Sequence, residues 1–183
     1  LGITPAWMFA PISGWNNYKE AIRGLAWAGS WWGAGNPYSS RNAAADATTA
    51  TADGFVWAQP VKPQDVRPRD RIYDESGGTQ NLRAQIEGAI TGGASILNIT
   101  TVGDWNESSG IEPSEGSPAG WGSLLSYWVA WWKLGSPPPI VREGVAVLHR
   151  KHPRTATPTV TRNTSLMAPR AGTSPRDDVE VCT

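Results

Sequence analysis

The segment that decides the fold is S-I-L-N-I-T-T-V-G-D-W-N-E-S-S-G-I-E-P-S, from Ser95 to Ser114. It begins with a short apolar run and β-branched residues up to Val102, a composition typical of a buried strand. Two carboxylates, Asp104 and Glu107, follow on either side of Trp105. In a barrel of parallel strands, catalytic groups gather at the C-terminal ends of the strands. The segment therefore predicts a strand that delivers two acids to such an end.

An acid pair beside an aromatic ring is what glycoside hydrolysis needs. One carboxyl protonates the leaving oxygen, and the other activates water or attacks the sugar. The spacing Asp104-x-x-Glu107 is short, however, and short acidic motifs also arise by chance in polar surface loops. From the pair alone the surface loop is the favoured interpretation, so the assignment depends on the rest of the chain.

The composition limits which classes of protein the chain could belong to. The chain has 183 residues, which suits one domain of ordinary size. Its 16 basic and 16 acidic residues balance, so electrostatics gives no reason to expect binding to nucleic acid or to an acidic membrane surface. The 11 tryptophans against 2 phenylalanines indicate a use beyond core packing, because indole faces stack on sugar rings. The alternative is a core rich in tryptophan.

The sequence carries no signal for a disulfide, a membrane span, a metal or a cofactor. Cys182 is the single cysteine, so no internal disulfide forms, and no run of about twenty apolar residues occurs. No glycine-rich phosphate loop follows a strand and no His/Cys cluster has ligand spacing, so we expect neither cofactor nor metal. Residues 1–10 lack the features of a signal peptide, and both ends look cut, so we expect a piece of a longer protein.

Apolar runs alternate with stretches of helical periodicity. The predicted strands lie near 6–10, 25–31, 55–59 and 95–102, and the predicted helices near 14–24, 41–52, 82–90 and 121–134. Thr79 can cap the third helix, and Gly92-Gly93 can end it. Such alternation predicts an α/β fold with a parallel sheet, and the strand count corresponds to about half of an eight-stranded barrel.

Seven motifs follow one another along the chain. They are Trp32-Gly33-Ala34-Gly35-Asn36-Pro37, Trp57-Ala58-Gln59-Pro60-Val61, Gln64-Asp65-Val66-Arg67-Pro68, Tyr73-Asp74-Glu75-Ser76-Gly77, Asp104-x-x-Glu107 with Ile111-x-Pro113-Ser114, Tyr127-x-x-Ala130-Trp131-x-Lys133, and Ile140-Val141-Arg142-Glu143. In that order and at those spacings, from about Trp27 to Arg150, the chain resembles glycoside hydrolase family 71, the endo-1,3-α-glucanases or mutanases.

The resemblance implies a fold and a domain organisation. Residues 1–139 would form the C-terminal half of a TIM (β/α)8 catalytic barrel. Residues 140–183 would be a linker and the truncated start of a β domain, because the segment from Ser174 to Val181 is similar to the start of the β domain that follows the barrel in relatives. The resemblance also implies a secreted monomer that acts on a polysaccharide.

The resemblance also implies an activity, the hydrolysis of α-1,3-glucosidic bonds in α-1,3-glucan. Asp104 and Glu107 match the two acids of the family motif, whereas Val102 and Gly103 stand where the family has Trp and Asn. The family looks inverting, so one acid would be the general acid and the other the general base. Carboxyl groups about 6.5–9.5 Å apart would suit that outcome.

Two substrate-binding candidates lie on the third strand. Pro60 is expected to end this strand, so Trp57 and Gln59 straddle its C-terminal end. Residues two apart on a strand point the same way, and the functional choice for both is toward the barrel mouth. The alternative is that Trp57 belongs to the core.

Four further substrate-binding candidates lie in loops. Glu75 precedes the third helix and would bind a sugar hydroxyl, or is a surface acid. Trp105 would stack on a sugar, or pack against the last helix. Trp32 and Asn36 sit in a loop at the end of the second strand. Two other functions stay open: a non-catalytic carbohydrate-binding module, which needs tryptophans but no acid pair, and an inactive barrel half.

Overall fold

The computed structural model describes residues 5–10, 15–30, 43–67, 70–104, 108–113, 120–141 and 144–149, together with 153, 155, 171–172, 177 and 179–182. In chain order the elements are β1 Met8–Phe9, α1 Trp15–Ile22, β2 Ala28–Ser30, α2 Ala43–Ala52, β3 Val56–Val61, β4 Asp65–Arg67, β5 Ile72–Asp74, α3 Gln80–Gly92, β6 Ile96–Ile99, α4 Gly120–Leu134, β7 Ala146–Leu148, β8 Ala171–Gly172 and β9 Glu180–Cys182.

The main sheet has four parallel strands in the order β1-β2-β3-β6. Helices α1, α2 and α3 fall between successive strands of this sheet. The predicted parallel α/β architecture is therefore confirmed, and all four strands end at the same edge. Among the described residues β1 lies at one border of the sheet, and the neighbouring side chains Trp7 and Trp27 are 64% and 54% exposed. The sheet is thus open, as half of a barrel predicts.

The third strand is longer than the sequence predicted. Pro60 does not end it, because the strand continues to Val61 and pairs Pro60 with Asn98 of β6. The backbone carbonyls of Trp57 and Val61 accept hydrogen bonds from N–H groups on the β6 side. The backbone polar groups of alternate β3 residues therefore point toward β6. The backbone nitrogen of Pro60, between these residues, points away from β6. The N–H that proline lacks would therefore not have bonded to β6.

Two apolar clusters join the helices to the sheet. The first buries Trp57 of β3 among small residues of α2 and α3, and the second packs Val61 of β3 against α3 and α4, with Trp128 7% exposed. Helices α2 and α3 approach closely at Gly92, where a Cβ atom would lie 2.6 Å from the carbonyl oxygen of Ala44. Only glycine fits such an approach, which explains why the last residue of α3 is a glycine despite its conformational cost.

Two buried amides of α3 hold the loop that follows β3. Gln85 accepts a bond from the Lys62 N–H (2.8 Å) and donates to the Lys62 carbonyl (2.7 Å). Asn81 donates to the carbonyls of Lys62 (3.0 Å) and Pro63 (2.8 Å). Both side chains are 2% exposed, so the backbone groups that they satisfy are shielded from water. This amide clamp, Asn81 with Gln85, fixes α3 to the C-terminal end of β3.

The tail of the chain contacts the start of α3. Thr79 stands at the N-cap position, as predicted, but its side chain makes no capping bond. Instead its hydroxyl donates to Glu180 Oε1 (2.6 Å), and its N–H donates to the other oxygen of the same carboxylate. Gly78 leaves room for this carboxylate, since a Cβ at Gly78 would overlap Glu180 Oε2. A strand far along the sequence therefore caps the helix.

Two small sheets complete the described fold. Strands β4 and β5 form an antiparallel pair that β8 extends in parallel, while β7 pairs antiparallel with β9. Both strands of the second pair lie within residues 140–183. The predicted domain boundary at residue 139 stays a prediction. Among the described residues, no helix is long and apolar enough to cross a membrane.

We predict that Gln85→Leu lowers the free energy of unfolding by about 2–3 kcal/mol, because the Lys62 N–H loses its partner inside the protein. Chemical denaturation followed by circular dichroism measures this change. Glu87→Leu on the exposed face of the same helix is the control, with an expected change within about 0.5 kcal/mol. Equal effects of the two variants would show that the amide clamp does not stabilise the fold.

We also predict that the contribution of Glu180 to stability depends on pH. Burial raises its pKa, but the bonds from Thr79 and the charge of Arg83 more than offset this, so its pKa lies below the ordinary value. A carboxyl with a lowered pKa stabilises the fold above its unfolded pKa, near 4.3, and the stabilisation is lost as pH falls through the folded pKa. Glu180→Gln should therefore cost about 1 kcal/mol at pH 7 and progressively less below about pH 4.5.

Unfolding titrations at several pH values test this expectation. Glu87→Gln, on an exposed position of α3, serves as the matched carboxylate-to-amide control. A difference between the parent and Glu180→Gln that stays constant from pH 7 to pH 3 would contradict a cap formed by the ionised carboxylate.

Candidate active site

The C-terminal edge of the main sheet carries the acidic loop. Asp104 follows β6 at this edge, and its side chain is half-buried. Its N–H donates to Thr101 Oγ1 (3.1 Å), and its carbonyl accepts from the Ser109 N–H (3.2 Å). The backbone of Asp104 is thus held on both sides. The expectation that this acid leaves the C-terminal end of a strand is correct.

The loop closes on itself through its backbone. The Ile111 N–H is shared between the carbonyls of Thr101 (3.2 Å) and Val102 (3.1 Å), and the Glu112 N–H also donates to Val102 (3.1 Å). Gln64, from the loop after β3, donates to the Ser108 carbonyl (2.9 Å). Such bonds fix a loop without a regular strand or helix, so the loops after β3 and β6 form one connected edge.

A further acid, Glu112, lies against Gly103 in this loop. A Cβ atom at Gly103 would be 2.5 Å from Glu112 Oε1, so the glycine leaves space for that carboxylate. Because this oxygen is the end of a flexible side chain, Glu112 could shift to admit a larger residue at Gly103. Sequence analysis did not single out Glu112. Its contact with Gly103 forms only when the loop closes, and loop closure cannot be predicted from residue spacing.

Four predicted site residues lie outside the described residues: Glu107, Trp105, Trp32 and Asn36. Their roles therefore stay predictions, and so does the separation of the two catalytic carboxyl groups. Asp104 and Ser108, the described residues that precede and follow positions 105–107 in the sequence, are both held by bonds within this edge.

The expectation for Trp57 and Gln59 is correct in one respect and wrong in another. They do share a face, since Trp57 Nε1 donates to Gln59 Oε1 (3.0 Å). That face is the helix side, however: Trp57 is 1% exposed and packs against Ala47 of α2 and Ala89 of α3. The alternative that Trp57 belongs to the core is the one the structure supports.

The position of Trp57 along the strand also differs from the expectation. Because β3 continues to Val61, Trp57 lies near its beginning, about 13 Å from its C-terminal end at about 3.3 Å per residue. Gln59 is 2% exposed, and its amide also donates to the Pro60 carbonyl (3.0 Å). Both side chains are therefore satisfied within the core, and neither is placed to contact a sugar.

Glu75 lies before α3, as predicted, and the strand β5 that precedes it was not predicted. It directly follows β5, is half-buried, and precedes the turn that leads through Thr79 into α3. The contact between Glu180 and Thr79 fixes the far end of this turn. Glu75 therefore stays a candidate for a substrate contact.

A buried ionic group stands beside the loop after β3. Asp65 is 1% exposed, and it accepts bonds from Lys62 (3.0 Å) and from both Nε (2.7 Å) and Nη2 (2.6 Å) of Arg67. Burial raises the pKa of Asp65, but the two cations more than offset this, so its pKa lies below the ordinary value. An acid held ionised in this way stabilises the edge and does not donate a proton.

A carboxyl with a raised pKa occurs elsewhere. Burial raises the pKa of Asp46, in the first turn of α2, to about 6. A raised pKa is the property of a general acid, but Asp46 belongs to the helix layer, where neighbouring α2 residues pack on Trp57. Among the described residues, no group of three or more His, Cys, Asp or Glu side chains could hold a metal ion.

Comparison with known proteins supports the fold. No protein-family model matches the chain, and no curated protein matches it. Matching solved structures include the GH99 endo-alpha-mannosidase of Bacteroides thetaiotaomicron in complex with BIS-TRIS-propane, with a TM-score of 0.61 and 16% identity over 72% of this chain and 48% of that chain. A second structure of that enzyme gives a TM-score of 0.60 and 15% identity over 72% and 45% of the two chains.

These figures define what the likeness shows. At 15–16% identity it shows the fold alone: the chain shares the α/β architecture of part of the matched structures and spans about half the length of the matched chains. The predicted fold class, a partial barrel with a parallel sheet, is consistent with this finding. Membership of family 71 stays a prediction.

Proposed function

We propose that the protein is a glycoside hydrolase that cleaves α-1,3-glucosidic bonds of α-1,3-glucan. The observation that carries this proposal is the position of Asp104, held by backbone bonds at the C-terminal edge of a parallel sheet. In barrels that edge is the site of catalysis. The matched structures, which are of an endo-alpha-mannosidase, support a hydrolase of α-linked sugars. The proposed specificity for α-1,3 linkages and for glucan is inferred from the resemblance to family 71.

The proposed mechanism uses two carboxyl groups. Asp104 and Glu107 act as general acid and general base in an inverting displacement, in which one protonates the leaving oxygen and the other activates a water molecule. The fixed backbone of Asp104 supports this role, because a catalytic carboxyl must be held in place before the substrate arrives. Glu75, Trp105, Trp32 and Asn36 are proposed to bind the polysaccharide. The resemblance further supports a secreted monomer.

A binding function without catalysis is the second candidate. The chain spans about half the length of the matched enzyme chains, and Gly103 replaces the residue that precedes the first acid in the family pattern. A half-barrel of this kind would bind glucan through its aromatic residues without cleaving it. The two functions differ in one measurable property, which is the release of new reducing ends.

We predict that the purified protein releases reducing sugar from insoluble α-1,3-glucan and that Asp104→Asn and Glu107→Gln each lower turnover by about 10²–10⁴-fold. The amides keep the shape of the side chains but cannot transfer protons, so co-sedimentation with the glucan should be retained. Glu112→Gln is the control within the same loop, and we expect it to change turnover by less than about 10-fold because it contacts the loop at Gly103.

Two results would contradict the proposal. If the parent binds glucan but releases no reducing ends, the binding function replaces the catalytic one. If the parent is active and both amide variants keep its turnover, Asp104 and Glu107 are not the catalytic pair. A large loss of turnover in Glu112→Gln alone would show that Glu112, the third acid of the loop, is a catalytic carboxyl group.

A further inference from the structure

We propose that Ser30, Asn98 and Thr100 form a subsite for a neutral sugar hydroxyl on the face of the main sheet opposite the helices. This inference rests on the proposed function, because it names a part of the same site. The three residues lie at or near the C-terminal ends of β2 and β6, the edge that also carries Asp104. None of the sequence motifs had assigned them a role.

The register of the strands assigns the three residues to one face. Trp57, Leu97 and Ile99 pack into the clusters on the helix side. Ile96, Asn98 and Thr100 alternate with Leu97 and Ile99, so they belong to the opposite face. Ser30 pairs with Ala58, and Ala58 pairs with Ile96, which places Ser30 on that same face. In a barrel this face lines the interior.

Hydrogen bonds connect the subsite across β3. Asn98 Nδ2 donates to Ser30 Oγ (3.3 Å), and Ser30 Oγ donates to the carbonyl of Ala58 (2.7 Å). Strands β2 and β6 both flank β3, so this contact spans about 9.6 Å of sheet, at about 4.8 Å per strand. The small side chain of Ala58 lies between them, and the Asn98 amide is held in one position above it. Ser30 and Ala58 are both 0% exposed, so Ser30 positions the Asn98 amide, and the half-buried Asn98 is the member of the pair that solvent reaches.

Hydrogen-bonding capacity is left over in this group. Thr100 is 8% exposed, and its Oγ1 is buried with no hydrogen-bond partner among the described residues. Asn98 is half-buried, and within the described part of the chain its amide oxygen makes no hydrogen bond. A buried hydroxyl without a partner, such as that of Thr100, is rare because it loses its bonds to water. A ligand that supplies both a donor and an acceptor would satisfy both side chains.

The chemistry of the three side chains defines the ligand class. An amide and hydroxyl groups both donate and accept, as sugar hydroxyls do, and none of the three side chains is ionisable near neutral pH. The group therefore fits a neutral hydroxylated ring better than a phosphate or a carboxylate. Thr100 precedes Asp104 by four residues, so their Cα atoms lie within about 14 Å of each other, near enough for one polysaccharide to contact both residues.

The test compares two variants of the group with a matched control. Asn98→Ala and Thr100→Val should each raise KM for a soluble α-1,3-gluco-oligosaccharide by about 3- to 10-fold, the loss expected for a neutral hydrogen bond. Thr100→Val keeps the side-chain shape, and its thermal midpoint should equal or exceed that of the parent because a buried hydroxyl without a partner is removed. Thr48→Val is the control, since the Thr48 hydroxyl is exposed on α2 and donates to Ala44 (2.8 Å).

The outcomes separate the subsite from the proposed function. Unchanged KM for both variants of an active parent would overturn the subsite, as would a loss in Thr100→Val that only follows a lower thermal midpoint. If the parent hydrolyses no α-glucan, the proposed function fails, and the subsite is then tested by the NMR signal of the Asn98 side-chain amide during titration with neutral oligosaccharides. A shift of that signal would support the subsite, and no shift would overturn it.

Discussion

The described fold depends on the amide clamp between α3 and the loop after β3. Asn81 and Gln85 satisfy the backbone of Lys62 and Pro63 at the point where β3 leaves the sheet. At this edge the parallel strand ends and the chain continues as a loop. The buried backbone N–H and C=O groups of that loop need hydrogen-bond partners. Because the partners come from the following helix, the strand end, the loop and α3 form one unit. The bond from Gln64 to Ser108 then connects that unit to the acidic loop.

Much of this architecture could be predicted from local patterns. Apolar runs located the four parallel strands, and helical spacing with glycine stops located α3, which ends at Gly93 in the left-handed region as expected. Alternation also predicted correctly that Trp57 and Gln59 share a face. It could not say which face, because a strand buried on both sides has no polar side to mark its orientation. The structure shows that Gln59 serves as the buried acceptor for the indole of Trp57.

The site was less predictable, because non-local contacts build it. The proline after Gln59 was read as the end of β3, although its missing N–H faces away from β6. Glu112 reaches Gly103 only after the loop has closed, and Glu180 reaches Thr79 from 101 residues further along the chain. No spacing rule announces such contacts. Asn98 was passed over for a related reason, since a polar residue within an apolar run gives no sign of the side it faces.

The most direct test of the account is hydrogen–deuterium exchange with and without a saturating α-1,3-gluco-oligosaccharide. The central claim is that the C-terminal edge of the sheet, with Asp104 held in its loop, binds the sugar. The account predicts slower exchange at residues 98–112 and in the connected loop 62–67, with no change in α1 or β9, where exchange should match the free protein. Protection confined to other segments, with residues 98–112 unchanged, would contradict the account.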